Sequence, residues 1–167
     1  MDMRSRVRDT GFATLGSALG LGLVALIHEL LYGTTGLPLI IAAFGATAVV
    51  LFGSADSRMA QPRALFGGSL ISSLIGVSVA QWLPHQPVWL GGMLAVCLSI
   101  AAMSLTDTMH SPGGAMAFLA VASPPAIRDL GYFYVIYPVG SGVLLMFIVA
   151  LAINHFAPTR HYPRSWR

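Results

Sequence analysis

Four apolar stretches of the chain are each long enough to cross a bilayer: Phe12–Leu31, Ala64–Leu83, Val88–Leu105 and Tyr132–Ile153. The last three hold no charged residue, and the first holds none before Glu29. Roughly 20 apolar residues in a helix match the ~30 Å hydrocarbon core, so each reads as a membrane-spanning helix. Two further apolar stretches are short. Leu37–Phe52 opens on Pro38, and Gly113–Ala122 opens on Pro112. Proline suits the first turn of a helix, where its fixed φ fits and its missing N–H would have been unpaired anyway. Pro124 and Pro125 stop the second short helix, because the residue before a proline avoids the α region. About ten residues at ~1.5 Å each reach only ~15 Å, half the hydrocarbon thickness.

The order repeats. A span, a polar lead-in, a proline-started short helix, an arginine-bearing loop and a glycine-rich span occur twice, over about 12–83 and about 88–155. Pro38 matches Pro112, and Gly67-Gly68-Ser69 loosely matches Gly140-Ser141-Gly142. The expected fold is therefore an all-α integral membrane protein in a single transmembrane domain. It has four full spans and two short, discontinuous helices.

Composition agrees. Hydrophobic residues fill 56% of the 167 positions and charged residues 9%, against ~25% charged in soluble domains. All nine basic residues are arginines, clustered at the two ends and in one loop. Such clusters read as flanks of membrane spans rather than as a nucleic-acid surface. If both short helices cross, Arg4, Arg6, Arg8, Arg58, Arg63, Arg160, Arg164 and Arg167 share one side with both termini, and only Arg128 lies opposite. If both fold back, Arg58 and Arg63 join Arg128, a poorer fit to the positive-inside bias. Six passages, with both termini in the cytoplasm of a cell inner membrane, are the expectation. Three passages per copy would give the copies opposite orientation, the inverted-repeat plan of many secondary transporters. Cys97 lies alone in an apolar run, and a buried inert thiol is expected. No metal or cofactor pattern and no enzyme signature stands out.

In that plan extended chain, Gly33 to Gly36 and Thr106 to Ser111, leads to short-helix starts near the midplane. Such starts present unpaired N–H groups and a positive dipole end, and two facing one another would hold a small anion. The expected substrate-binding residues are His110, Ser111, Gly113 and Gly114 in the second copy, Gly45 and Thr47 in the first, and Arg63 at the mouth. His110 would donate to an anion, with Asp107 fixing its tautomer; the plainer reading puts both in a solvated turn. Arg63 would steer anions, or else join Asp56 and Arg58 in fixing the loop. The small residues serve close packing equally well, as does the GxxxG of Gly16 and Gly20. His28 and Glu29 end the first span at the interface, and Trp82, Trp89 and Trp166 sit where spans meet water.

Phe44-Gly45-Ala46-Thr47-Ala48-Val49-Val50-Leu51-Phe52-Gly53, then Asp56-Ser57 and Ala60-Gln61-Pro62-Arg63, resembles the first signature of the HPP family of integral membrane proteins. Leu105-Thr106-Asp107-Thr108-Met109-His110-Ser111-Pro112-Gly113-Gly114-Ala115 is similar to the stretch that names that family, with Ser111 in place of the first proline of His-Pro-Pro. Asn154, Tyr162-Pro163 and Trp166 resemble its C-terminal pattern. Where the family has Gly-Gly-His after Pro-Arg, this chain has Gly67-Gly68-Ser69. The resemblance implies a four-spanning membrane protein. Plant and cyanobacterial relatives are associated with nitrite transport, so it also implies a carrier or channel for a small anion. The expected partners are the lipid bilayer, a small inorganic anion and, in some assembly states, further copies of the chain. A non-transporting scaffold or sensor, and a carrier of a neutral solute or cation, are the rival expectations.

Overall fold

A computed structural model of the chain describes residues 3–34, 37–157 and 160–166. Thr35, Gly36 and Arg167 lie outside the described residues. Among the described residues seven α-helices follow in order: α1 Met3–Tyr32, α2 Leu37–Ala48, α3 Pro62–Trp82, α4 Val88–Thr106, α5 Ser111–Ala122, α6 Pro125–Arg128 and α7 Ser141–Phe156. A π-helical turn, Val49–Gly53, extends α2, and a 3₁₀ turn, Arg58–Ala60, precedes α3. The stretches Met3–Leu31, Pro62–Trp82, Val88–Thr106 and Val135–Phe156 are long and apolar enough to cross a membrane. The fold is an all-α membrane bundle.

The first helix of each half lies against the last helix of the other. α1 packs on α7 and α4 packs on α3, while α2 meets α5 between them. Both termini gather at one end. There Arg160 donates to the carbonyl oxygens of Asp9 and Phe52 and to Oδ1 of Asn154. That end also holds the starts of α1 and α3 and the end of α4, and so Arg4, Arg6, Arg8, Arg58, Arg63, Arg160 and Arg164. Arg128 sits at the opposite end, beside Leu83, Pro84 and Val88.

Several expectations are corrected. The final span is not one helix. Tyr137 is extended (φ −136°, ψ 129°) ahead of Pro138, so the stretch Val135–Gly140 is kinked where it leads into α7. Proline inside a helix removes a backbone donor and clashes with the preceding turn. Cys97 is exposed on the outer face of α4 rather than buried. His28, near the end of α1, does not reach water: it is 1% exposed, stacked on Tyr137 and 3.4 Å from its hydroxyl. Trp82, Trp89 and Trp166 are exposed at helix ends, where an aromatic belt would place them.

Candidate functional site

The α4–α5 connection builds the site. Asp107 caps α4 in the left-handed region (φ 54°), which aspartate tolerates better than most residues. The chain then runs extended through His110 (φ −136°, ψ 103°) into α5. Gly91 faces Val121, Gly92 faces the Phe118 ring and Gly114 faces Val96. This antiparallel register sets Ser111 level with Ser99, about seven residues short of the end of α4. The start of α5 is thus ~10 Å inside the bundle, close to the middle of α4 rather than to its end. Ala122, at its other end, is level with Val88.

Glycines let α5 seat that deeply. A methyl group at Gly68 would lie 2.5 Å from the Thr108 carbonyl oxygen and 2.6 Å from Cβ of His110. One at Gly113 would lie 2.7 Å from Oγ of Ser72 and 3.0 Å from the Gly68 carbonyl oxygen. One at Gly76 would fall on the backbone of Ala117. The α3–α5 seam is therefore backbone against backbone, closer than any side chain allows.

His110 is wholly buried, and its Nδ1 donates to the Met59 carbonyl oxygen at 2.8 Å. A carbonyl can only accept, so Nδ1 carries the proton, and in the neutral ring Nε2 is a bare acceptor. Its burial, with no counter-charge bonded to it, favours the uncharged ring. The ring is neutral near pH 7. Nε2 has no hydrogen-bond partner among the described residues, nor do the buried hydroxyls of Ser69 and Ser72 on α3.

Above this histidine a cleft of ≈ 360 Å³ opens at the arginine-rich end, lined by Arg58, Met59, Gln61, Arg63, Asp107 and Met109, among others. Arg58 pairs with Asp107 at 2.9 Å, and both are largely exposed. Arg63 donates to the Thr106 carbonyl oxygen at 2.8 Å, closing the C-terminal end of α4. Asp107 therefore serves Arg58, and the tautomer of His110 is set by Met59 instead. Asp56 pairs with Arg164, not with Arg58 or Arg63.

Of the residues singled out from sequence, Arg63 lines this cleft, and His110 lies buried behind it, bonded to the lining residue Met59. Gly113 is sealed into the α3–α5 seam, and Gly114 faces Val96 on α4. Ser111 is exposed with Ala115 and Phe118, along the outer stripe of α5. Gly45 has open space beside it. Thr47 is buried, with its hydroxyl on the Ala43 carbonyl oxygen. The two short-helix starts do not face one another: Ile40, near the start of α2, lines a cavity with His28, near the end of α1. α2 thus starts at the far end, while α5 starts near the middle of the bundle. The α5 start is also a poor anion cradle. Pro112 has no N–H, and the Gly113 N–H closes on the His110 carbonyl oxygen at 2.9 Å.

Sequence reasoning missed Gln61, the hub of this end. Its Nε2 donates to the carbonyl oxygens of Ala55 and Ser57, and its Oε1 accepts from the backbone N–H groups of Arg164 and Ser165. Tyr162 adds a hydroxyl donor to the Ala60 carbonyl oxygen at 2.7 Å. The C-terminal tail so forms one wall of the cleft. Ser69, Ser72 and Ser73 were also missed, although three hydroxyls on one face of an apolar span are a readable signal.

Comparison with known proteins agrees with this architecture. Two Dictyostelium discoideum proteins described as transmembrane proteins are each 35% identical to the chain, over 98% and 96% of its length. The chain spans about half the length of these curated relatives, 53% and 56%. No solved structure matches the chain significantly. A family model for the HPP transmembrane region covers residues 2–163, and the chain belongs to that family of membrane proteins.

Proposed function

We propose that the protein carries a small inorganic anion across the membrane, nitrite being the candidate suggested by the family resemblance, and that the solute enters by the cleft at the arginine-rich end. One observation carries this reading: the interrupted passage at Asp107–His110 buries His110, with Nε2 unsatisfied, against Met59 of the cleft that Arg58 and Arg63 also line. Unsatisfied polar groups inside a membrane bundle cost several kcal/mol each and mark solute pathways. The arginines would raise the local anion concentration at the mouth. By the positive-inside bias this end faces the cytoplasm. The exchange of packing partners between the halves supports an inverted repeat over about 12–83 and 88–155.

The sealed α3–α5 seam favours a second reading, a non-transporting scaffold or sensor that holds its ligand in the cleft. Reconstitution into liposomes separates the two. Uptake of nitrite, nitrate, formate and chloride is measured against protein-free vesicles of the same lipid. Transport predicts uptake of at least one anion above that background. Binding to detergent-solubilised protein with no uptake of any of them supports the sensor.

A further inference from the structure

We infer that His110 acts as a fixed hydrogen-bond acceptor, so that the interior takes its solute as the neutral conjugate acid rather than as the bare anion. This rests on the transport reading above and names the form that crosses. The Met59 carbonyl oxygen holds the proton on Nδ1 and leaves Nε2 a buried lone pair with no partner among the described residues. A lone pair repels an anion and accepts from an O–H. Among the other unsatisfied buried groups, which also include Nδ2 of Asn154 on α7, the hydroxyls of Ser69 and Ser72 serve an acid equally well, since each can donate to its oxygen or accept its proton. The nearby start of α5, which would favour an anion, has lost donors to Pro112 and to the Gly113 bond.

Among the described residues, no charged side chain bonds His110, although Arg58, Arg63 and Asp107 belong to the elements packed on it. The 3₁₀ turn contributes Met59, α3 contributes Gly68 and α4 contributes Met103. The charged groups nearest, Arg58, Arg63 and Asp107, line the cleft outside. The arginines gather the anion there, a bulk proton joins it, and the acid enters. On release the acid gives the same proton to the other compartment. Each transfer therefore moves one anion with one proton and no net charge.

The test uses the full chain in liposomes loaded with a pH-sensitive dye. Nitrite and formate, bases of weak acids, are compared with nitrate and chloride, bases of strong ones, after subtracting protein-free vesicles. The inference predicts nitrite and formate uptake with one proton appearing inside per anion, unaffected by a potassium diffusion potential of either sign. The rate rises about tenfold per unit of falling external pH, following the acid concentration. Nitrate and chloride stay at background. Nitrate uptake equal to nitrite, or nitrite uptake that follows the potential without acidification, overturns the inference and leaves transport standing. Uptake of none of the four overturns both.

Two variants locate the effect. His110→Asn keeps an amide donor for the Met59 carbonyl oxygen but removes the acceptor at Nε2. It should lower nitrite uptake about tenfold, the factor for one hydrogen bond, at an unchanged melting temperature. His110→Gln, which returns an amide oxygen near that position, should restore part of it. A folded His110→Asn with wild-type uptake would make the histidine structural. Should neither variant fold, the wild-type proton-to-anion ratio decides alone.

Discussion

Two seams in this bundle use glycine in opposite ways. Between α3 and α5, Gly68, Gly76 and Gly113 bring one backbone onto another, and the atoms a methyl would strike are mostly carbonyls and Cα atoms. Between α1, α2 and α7, glycines make slots for large side chains. Gly16 receives the Phe52 ring, Gly20 the Met146 sulfur and Gly142 the Phe44 ring. Backbone cannot yield, whereas a ring or a methionine can turn. The first seam fixes the depth of His110. The second encloses an apolar cavity of ≈ 190 Å³ beside the break in the last span, lined by Val24, His28, Ile40 and Pro138, among others. One half of the molecule is built for fixed position and the other for tolerance.

The largest expected effect breaks the comparison if it fails. Gly76→Ala should leave little folded, monodisperse protein in detergent. Gly142→Ala should cost only ~1–3 kcal/mol, the usual cost of overpacking that neighbours can absorb. Thermal melting of both proteins checks it, and equal losses would show that the two seams do not differ.

Much of the fold was legible because each span is a local property of the sequence. Charge-free runs marked the four spans, and Pro112 with Pro124 and Pro125 marked the short α5. The positions of His28, Asp107 and Arg63 were not legible, because their partners lie far away in the chain: Tyr137, Arg58 and the Thr106 carbonyl. The break at Pro138 had a visible signal, but the apolar run around it hid the change of direction. The outward face of Ser111 was also readable, since Ser111, Ala115 and Phe118 fall one turn apart on a helix. At the candidate site His110 was legible and its chemistry was not. Which nitrogen holds the proton depends on a carbonyl 51 residues away.

Smaller effects sharpen the account of the arginine-rich end. Gln61→Leu removes the partner of four backbone groups and should cost ~1–3 kcal/mol, loosening the C-terminal tail. Limited proteolysis within residues 160–166 should become faster, and an unchanged rate would detach Gln61 from the tail. Smallest of all is the Arg58–Asp107 pair. As an exposed ion pair it contributes less than ~1 kcal/mol, so Arg58→Gln should hardly move the melting temperature. Its effect belongs to uptake at low anion concentration, and should fade as salt screens the mouth over ~10 Å at 0.1 M.

The central claim is that solute enters by the cleft above His110, and Met109 offers the most direct test. Met109 lines that cleft, so Met109→Cys in a Cys97→Ala background gives a single thiol there. In liposomes, a charged, membrane-impermeant thiol reagent should abolish nitrite uptake when it reaches this end, and added nitrite should slow the modification. Complete modification with uptake unchanged would contradict the account.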